Sequence, residues 1–357
     1  MSPLPTALRR RPIRFVAGSI AAVTVVSIAA CRTTPAEPKP VTPALSGGGS
    51  LVVEPGPEPA AALTMEARVE AAREVAEVGD YEEALRIFQS LLSENPTLTT
   101  AFIGIGDIHL AQGNYDEAEP AFARAVRLEP ANFDAQFGHG RVLQLLLRFA
   151  DAVKAYHRAL AIRPYSVDTN VNIATAYLQL EEPDLAVPFA EKAVELAPDN
   201  GAARTNLGAA YERVGRYGDA IRQYEVAMEL MEPSPPLLLN LINAYVSEKR
   251  FQEAVNAAEI LLQIEPTANA HERMAFAYFR LGQYEDSKAA YRRAVQTDPQ
   301  HWPSWNGIGV NALNRWLASG REDRNAKNEA RDAFRNSLRI KSDQPKVVAL
   351  LSKYYAG

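Results

Sequence analysis

The sequence predicts an all-α solenoid built from about eight helical hairpins and closed by a C-terminal helix. Three observations predict it. Seven prolines recur every 33 to 35 residues, at Pro96, Pro130, Pro164, Pro198, Pro233, Pro266 and Pro299. An alanine lies 12 or 13 residues before most of them, and an aromatic residue follows four positions later, as in Ala84 and Phe88. Apolar residues also recur at helical spacing, so one array is expected rather than two or three separate domains.

Residues 1–30 have the layout of a secretory signal. A basic stretch from Arg9 to Arg14 precedes an apolar stretch of 16 residues, Phe15 to Ala30, which is short of the roughly 20 residues that a membrane span needs. The run ends Ile28-Ala29-Ala30-Cys31 and resembles the bacterial lipobox. The resemblance implies that Cys31 is lipidated and that the chain is exported and anchored to a membrane facing the periplasm. Arg32, standing where Asp would signal retention, favours the outer membrane. The alternative is a free or buried thiol.

Residues 31–62 are predicted to be the lipidated cysteine followed by a disordered tether. Proline, glycine, serine and alanine dominate this stretch, and no helix or strand period is present. A flexible chain of this length reaches roughly 30 Å, and prolines extend it.

The repeats begin near residues 65, 99, 133, 167, 201, 235, 268 and 302, and together span 65–344. Their small, aromatic and proline positions resemble the tetratricopeptide repeat, which implies a right-handed superhelical solenoid of helix–turn–helix units. Gly106, Gly140 and Gly208 stand where two helices are expected to approach closely. The eighth repeat carries a charged insertion, 317–329, expected to form a loop. Residues 345–357 are expected to form an amphipathic helix that caps the last apolar face.

The resemblance also implies a binding groove, because in this family the first helix of each hairpin lines the concave surface. Asn172, Asn206 and Asn240 occupy the sixth position of three consecutive repeats. This is similar to the asparagine ladder in the repeat domain of O-GlcNAc transferase, which clasps an extended peptide. A carboxamide both donates and accepts hydrogen bonds, so it can pair with any peptide unit. Alternatively, the three asparagines bond to local groups.

Apolar side chains are expected to anchor such a peptide, since three amide contacts supply only a few kcal/mol. The candidates at groove positions are Leu239, Val246, Phe276, Phe279, Val310 and Leu313. The alternative is that they bury one another in a tight superhelix.

Composition and motifs exclude several other classes of function. The net charge is −5, and removal of residues 1–30 with their four arginines makes it −9, so an acidic chain without a basic stripe argues against a nucleic-acid partner. One cysteine and five scattered histidines offer no disulfide framework and no metal site. No nucleophile–base pair or phosphate loop is found. We therefore expect no catalytic residues, no cofactor and no small-molecule substrate.

The function predicted from the sequence is a lipid-anchored scaffold or adaptor of the bacterial cell envelope that binds peptides or assembly subunits. Two alternatives stay open at this point. One is a self-assembling structural envelope protein, and the other is an assembly factor for a pilus or secretin system.

Overall fold

The computed structural model describes residues 64–355, which form two compact units, 64–196 and 197–355. The helices of the first unit are α1 Met65–Glu77, α2 Tyr81–Glu94, α3 Thr99–Ala111, α4 Tyr115–Leu128, α5 Phe133–Leu145, α6 Phe149–Ile162, α7 Val167–Gln179 and α8 Pro183–Leu196. The helices of the second unit are α9 Gly201–Arg213, α10 Tyr217–Leu230, α11 Pro235–Ser247, α12 Phe251–Ile264, α13 Ala268–Leu281, α14 Tyr284–Thr297, α15 Trp302–Ala318, α16 Arg324–Ile340 and α17 Pro345–Tyr355. No strand occurs among these residues. The predicted all-α repeat architecture is confirmed.

Consecutive helices pair into hairpins, and within each unit the second helix of one hairpin packs on the first helix of the next, as α2 does on α3. The first helices begin at the residues given above for the repeat starts. Side chains cap several of them, since Thr64 Oγ1 accepts a hydrogen bond from the N–H of Ala67 at 3.2 Å and Asn132 Oδ1 accepts one from Ala135 at 3.1 Å. These caps satisfy backbone donors that have no partner within the helix.

The turn between the two helices of a hairpin requires a left-handed backbone conformation. Gly113 and Gly215 supply it at φ 77° and 79°. Three hairpins instead place a residue with a side chain there, Leu147, Glu181 and Lys249, at φ 59°, 60° and 62°. A left-handed conformation costs a residue with a Cβ atom roughly 1–2 kcal/mol, so these three turns are strained.

In the second, third, fifth and eighth hairpins, an aromatic ring of the second helix lies on a glycine of the first. A Cβ atom at Gly208 would lie 2.5 Å from the ring of Tyr224, and one at Gly106 would lie 2.6 Å from the ring of Phe122. Gly140 bears the same relation to Tyr156 at 2.5 Å, so the close approach predicted for the three glycines is confirmed.

The ring of Phe122 also lies against Gly138 of the following hairpin, and the ring of Phe88 lies against Gly104 in the same way. These two aromatic side chains therefore fill the space between neighbouring hairpins, as the repeat pattern implies.

The eighth hairpin is longer than the others, and the expectation of a loop over 317–329 is wrong. α15 and α16 each have 17 residues, and only residues 319–323 link them. The extra residues extend both helices by about one turn, which keeps the helices paired along their whole length. Arg315 holds the extension together, because its guanidinium pairs with Asp323 at 3.1 Å and with Glu329 at 3.0 Å.

The terminal helix α17 packs on this extended hairpin. Val347 is buried in its hydrophobic cluster, and the ring of Tyr355 stacks on Trp316 at a centroid distance of 6.0 Å. Val347 and Tyr355 thus cover apolar surface of the last repeat, as expected of a cap.

The predicted signal peptide, the lipidation site Cys31 and the tether lie outside the described residues. Among the helices that the structure describes, none combines the length and hydropathy needed to cross a membrane.

Candidate functional site

The first asparagine of the predicted ladder is committed to its own helix. Asn172, on α7 of the first unit, is 5% exposed. Its Nδ2 donates a hydrogen bond to the carbonyl oxygen of Asp168 at 2.9 Å, one turn earlier. One of the two N–H donors of the amide is therefore already used, and burial restricts access to the rest of the side chain, as the local-bonding alternative anticipates.

The other two asparagines lie in the second unit and are half-buried, Asn206 on α9 and Asn240 on α11. The side chain of Asn240 lies close to the hydroxyl of Tyr224 and acts to lower its pKa. That hydroxyl donates a hydrogen bond to Oε2 of Glu212 at 3.0 Å. Three helices, α9, α10 and α11, thus contribute one side chain each to a polar cluster, which we call the Glu212–Tyr224–Asn240 triad.

Burial gives the triad unusual acid–base properties. Removal of the carboxyl group from water raises the pKa of Glu212 to about 7, against the lowering effects of the Tyr224 hydrogen bond and of the charges of Arg213 and Arg273. Burial likewise raises the pKa of Tyr224 well above its ordinary value, and the neighbouring carboxylate adds to this increase. The triad therefore changes charge near neutral pH through Glu212 while Tyr224 stays protonated.

A neutral version of the same contact occurs in the third hairpin. The hydroxyl of Tyr156 donates to Oε1 of Gln144 at 2.9 Å. Gln144 and Glu212 both occupy the twelfth position of their repeats, so the two sites differ by an amide in place of an acid. The Tyr156–Gln144 contact therefore shows the same hydrogen bond without the charge of Glu212.

Of the six predicted apolar anchors, four are partly exposed and two are not. Leu239, Val246, Phe276 and Phe279 are half-buried on α11 and α13. Val310 and Leu313 are only 7% and 1% exposed, because they belong to the hydrophobic cluster beneath the terminal helix. The structure thus leaves four of the six residues accessible to a ligand, and a peptide-binding role for them stays a prediction.

An acid–base pair next to these residues was not anticipated. Glu272 and Arg273 are adjacent on α13, with Nε of Arg273 lying 3.6 Å from Oε2 of Glu272. Burial raises the pKa of Glu272, although Arg273 opposes the increase. Position alone could have identified Arg273, because it occupies the sixth position of its repeat, where the three preceding repeats carry asparagine.

The second unit therefore presents amide, carboxyl and guanidinium groups beside half-buried aliphatic and aromatic side chains on its first helices. Such a surface can accept and donate hydrogen bonds to a polypeptide backbone and bury apolar side chains. Within residues 64–355 no group of three or more histidine, cysteine or acidic side chains is placed to hold a metal ion.

Comparison with known proteins identifies the repeats. Models of the family described as tetratricopeptide repeat match residues 103–167, 165–232 and 268–301. No curated protein sequence matches significantly.

Solved structures share the fold. PilW, described as a widely conserved type IV pilus biogenesis factor, is 20% identical with a TM-score of 0.53, over 58% of this chain and 96% of PilW. PilF of Pseudomonas aeruginosa is 16% identical with a TM-score of 0.51, over 57% and 92%. A tetratricopeptide repeat protein of Parabacteroides merdae ATCC 43184 is 17% identical with a TM-score of 0.51, over 69% and 98%.

Proposed function

We propose that this chain, whose described residues form a tetratricopeptide-repeat solenoid, is a non-enzymatic protein-binding scaffold that holds polypeptide partners at a membrane surface of the cell envelope. The supporting observation is the surface of α9, α11 and α13. There the Glu212–Tyr224–Asn240 triad and the Glu272–Arg273 pair accompany four partly exposed apolar side chains.

The expected ligand is an extended segment of polypeptide with aliphatic or aromatic side chains. Asn206 and Asn240 would contact its backbone, while Phe276 and Phe279 would cover its apolar side chains. Each amide contact contributes about 0.5–1.5 kcal/mol, so the aromatic contacts must supply most of the affinity. Asn172 has no part in this surface, because it lies on α7 of the first unit and is only 5% exposed.

The binding surface can be tested by substitution. The pair Asn206→Ala and Asn240→Ala, combined with Phe276→Ala, should remove most of the captured partner when the protein is used as bait in an envelope extract. Asn256→Ala, an exposed change on the second helix α12, serves as the matched control and should leave capture intact. Equal capture by the groove variant and the control would refute the proposal.

The anchor is the second half of the proposal. The lipobox-like sequence at Cys31 and the tether that follows would place the repeats clear of the lipid headgroups. Two or three acyl chains would hold them there, since one chain binds only reversibly. Cys31→Ser should move the protein from the membrane fraction to the soluble fraction. An unchanged distribution would refute lipidation while leaving the binding surface unaffected.

A narrower role in pilus assembly rests on the likeness to PilW and PilF. Identities of 20% and 16% show a shared fold alone, so the pathway that this scaffold serves is not proposed.

A further inference from the structure

The outward face of α16 is a basic stripe. Its members are Arg324, Lys327, Arg331, Arg335 and Arg339. At 100° per residue these five positions fall within about 120° of the helix circumference and extend along about 22 Å of its axis. The opposite face carries Ala326, Ala330 and Phe334, which are buried in the hairpin core. The stripe therefore faces away from the core.

The stripe corrects the expectation, drawn from composition, that the chain has no basic face. Residues 302–357 carry ten Lys and Arg against five Asp and Glu, whereas residues 64–301 carry 22 against 35. An average over the whole chain conceals this division.

The cations of the stripe are largely unpaired within the described residues. Arg331 has an ion pair only with its neighbour Asp332, at 3.0 Å. Arg339 donates a hydrogen bond to the amide oxygen of Asn336 at 3.1 Å, and no ion pair involves Arg324 or Arg335 in that part of the chain. By contrast, Arg315, which lies inside the hairpin, is fully paired with two carboxylates. Lys327 is engaged within its own hairpin, because its ammonium lies 5.2 Å from the centroid of the Trp316 ring. The four arginines of the stripe are thus available to an anionic partner.

A matching acidic stripe lies on α1, the first of the described helices. Glu66, Glu70, Glu74 and Glu77 are all exposed on α1 and fall within about 80° of its circumference, along about 16 Å. Among the described residues, Glu70 alone of these four has an ion pair, with Arg73 at 3.5 Å. The hairpin 65–98 carries eight acidic residues and three basic ones, so its own net charge is −5. This charge is equal in size and opposite in sign to the +5 of residues 302–357.

We infer that the basic stripe of α16 in one copy of this chain binds the acidic stripe of α1 in a second copy. The two stripes are complementary in sign, similar in length and spaced at three or four residues, so successive side chains can alternate along paired helices. A contact between different surfaces of two copies is heterologous and leaves one stripe free on each outer copy, so chains of molecules can grow. This association is independent of the proposed peptide-binding surface.

The association should be weak and sensitive to salt. Exposed ion pairs are individually weak and are screened by counterions. Raising the salt concentration from 0.1 M to 1 M shortens the screening length from about 10 Å to about 3 Å, so the dissociation constant should increase by at least about tenfold. Both stripes contain only polar side chains, and no apolar contact is expected to compensate.

A charge-swap experiment tests the pairing. Sedimentation of the purified full chain in a nonionic detergent should show association that increases with protein concentration. Reversal of α16, by Arg331→Glu, Arg335→Glu and Arg339→Glu, should abolish it, and so should reversal of α1, by Glu66→Lys, Glu70→Lys and Glu74→Lys. A mixture of the two reversed proteins should associate again, because the stripes are then complementary between the two variants.

The controls separate this inference from its alternatives. Reversal of three exposed acids at the start of α8, Glu181→Lys, Glu182→Lys and Asp184→Lys, should leave association unchanged, and so should Asn206→Ala with Asn240→Ala. If a triple reversal lowers the helical circular dichroism signal, the single changes Glu70→Lys and Arg335→Glu replace it.

Three results would overturn the inference. The first is a wild-type chain that stays monomeric at every concentration, and the second is a pair of reversed proteins that fail to associate when mixed. The third is binding of the wild-type chain to phosphatidylglycerol vesicles but not to phosphatidylcholine vesicles, lost on α16 reversal, without self-association. That result would assign the stripe to an anionic membrane instead.

Discussion

The most direct test of the triad is the substitution Glu212→Gln. Glutamine keeps an oxygen that can accept the hydrogen bond from Tyr224, and it removes the charge that burial disfavours. The pKa of Glu212 rises from 4.5 to about 7 on folding. A pKa difference of one corresponds to 1.36 kcal/mol, so full burial would give about 3 kcal/mol, and the half-buried position of the side chain reduces this to about 2 kcal/mol.

The sign of the pH dependence follows from the direction of the pKa change. Because the folded state holds the proton of Glu212 more tightly, the contribution of this group to wild-type stability is fully present below pH 4.5 and is lost as the pH rises through about 7. At pH 8 the Gln variant should therefore be more stable by about 2 kcal/mol, and near pH 4.5 the two proteins should melt alike. For a unit of this size the change amounts to about 4–8 °C in melting temperature.

The assay is thermal unfolding followed by circular dichroism, at several pH values between 4.5 and 8. Gln144→Glu in the third hairpin is the reverse experiment, because Gln144 already makes the neutral contact with Tyr156. It should destabilise the protein at pH 8 and leave it nearly unchanged at pH 4.5. Parallel pH profiles for the wild type and Glu212→Gln would refute the assignment of a raised pKa to this carboxyl group.

Three further changes probe the fold. Gly208→Ala should cost about 1–3 kcal/mol in unfolding experiments, because the new Cβ would lie 2.5 Å from the ring of Tyr224, and wild-type stability would show that the helices can separate freely. Lys249→Gly should instead stabilise the protein by about 0.5–1 kcal/mol by relieving a φ of 62°, and a decrease in melting temperature would contradict the proposed strain. Trp316→Ala should destabilise the last hairpin by about 3–5 kcal/mol and expose the amides of α17 to hydrogen exchange, whereas unchanged protection would show that Tyr355 does not hold the cap.

The repeat architecture could be predicted from the sequence because each marker of the period answers a packing requirement. Proline ends the second helix, alanine and glycine allow helices to touch, and the aromatic residue fills the remaining space. Gly106 and Phe122 show how a glycine and an aromatic ring fit together in one hairpin. A glycine or an aromatic residue alone would not have predicted this packing. The regular recurrence of the set made the helix positions predictable.

The eighth hairpin was less predictable because its extra residues break the period. The charged composition of 317–329 indicated a loop, but an extension of about one turn in each helix preserves the pairing of α15 with α16. One local signal was present, since Asp323 caps α16 by accepting a hydrogen bond from the N–H of Ala326 at 2.9 Å. The longer hairpin and the cap together bury Val310 and Leu313.

The polar part of the site depends on contacts between helices, which repeat position does not encode. Repeat position singled out Asn240 but not Glu212. Tyr224, on the neighbouring helix α10, brings its hydroxyl within hydrogen-bonding distance of Glu212 and close to Asn240. Similarly, Asn172 matches the ladder by position, yet its side chain turns back to Asp168.

The rings of Phe88 and Phe122 have a consequence for how the first unit loses its structure. Each ring belongs to one hairpin and is seated on a glycine of the next, Gly104 and Gly138 respectively. Melting of the hairpin 65–98 therefore removes Phe88 and exposes the backbone of the next hairpin at Gly104, which has no side chain to replace the ring. The first three hairpins should consequently unravel as a cooperative group, and a truncation that removes residues 65–98 would transfer the fraying end inward to α3.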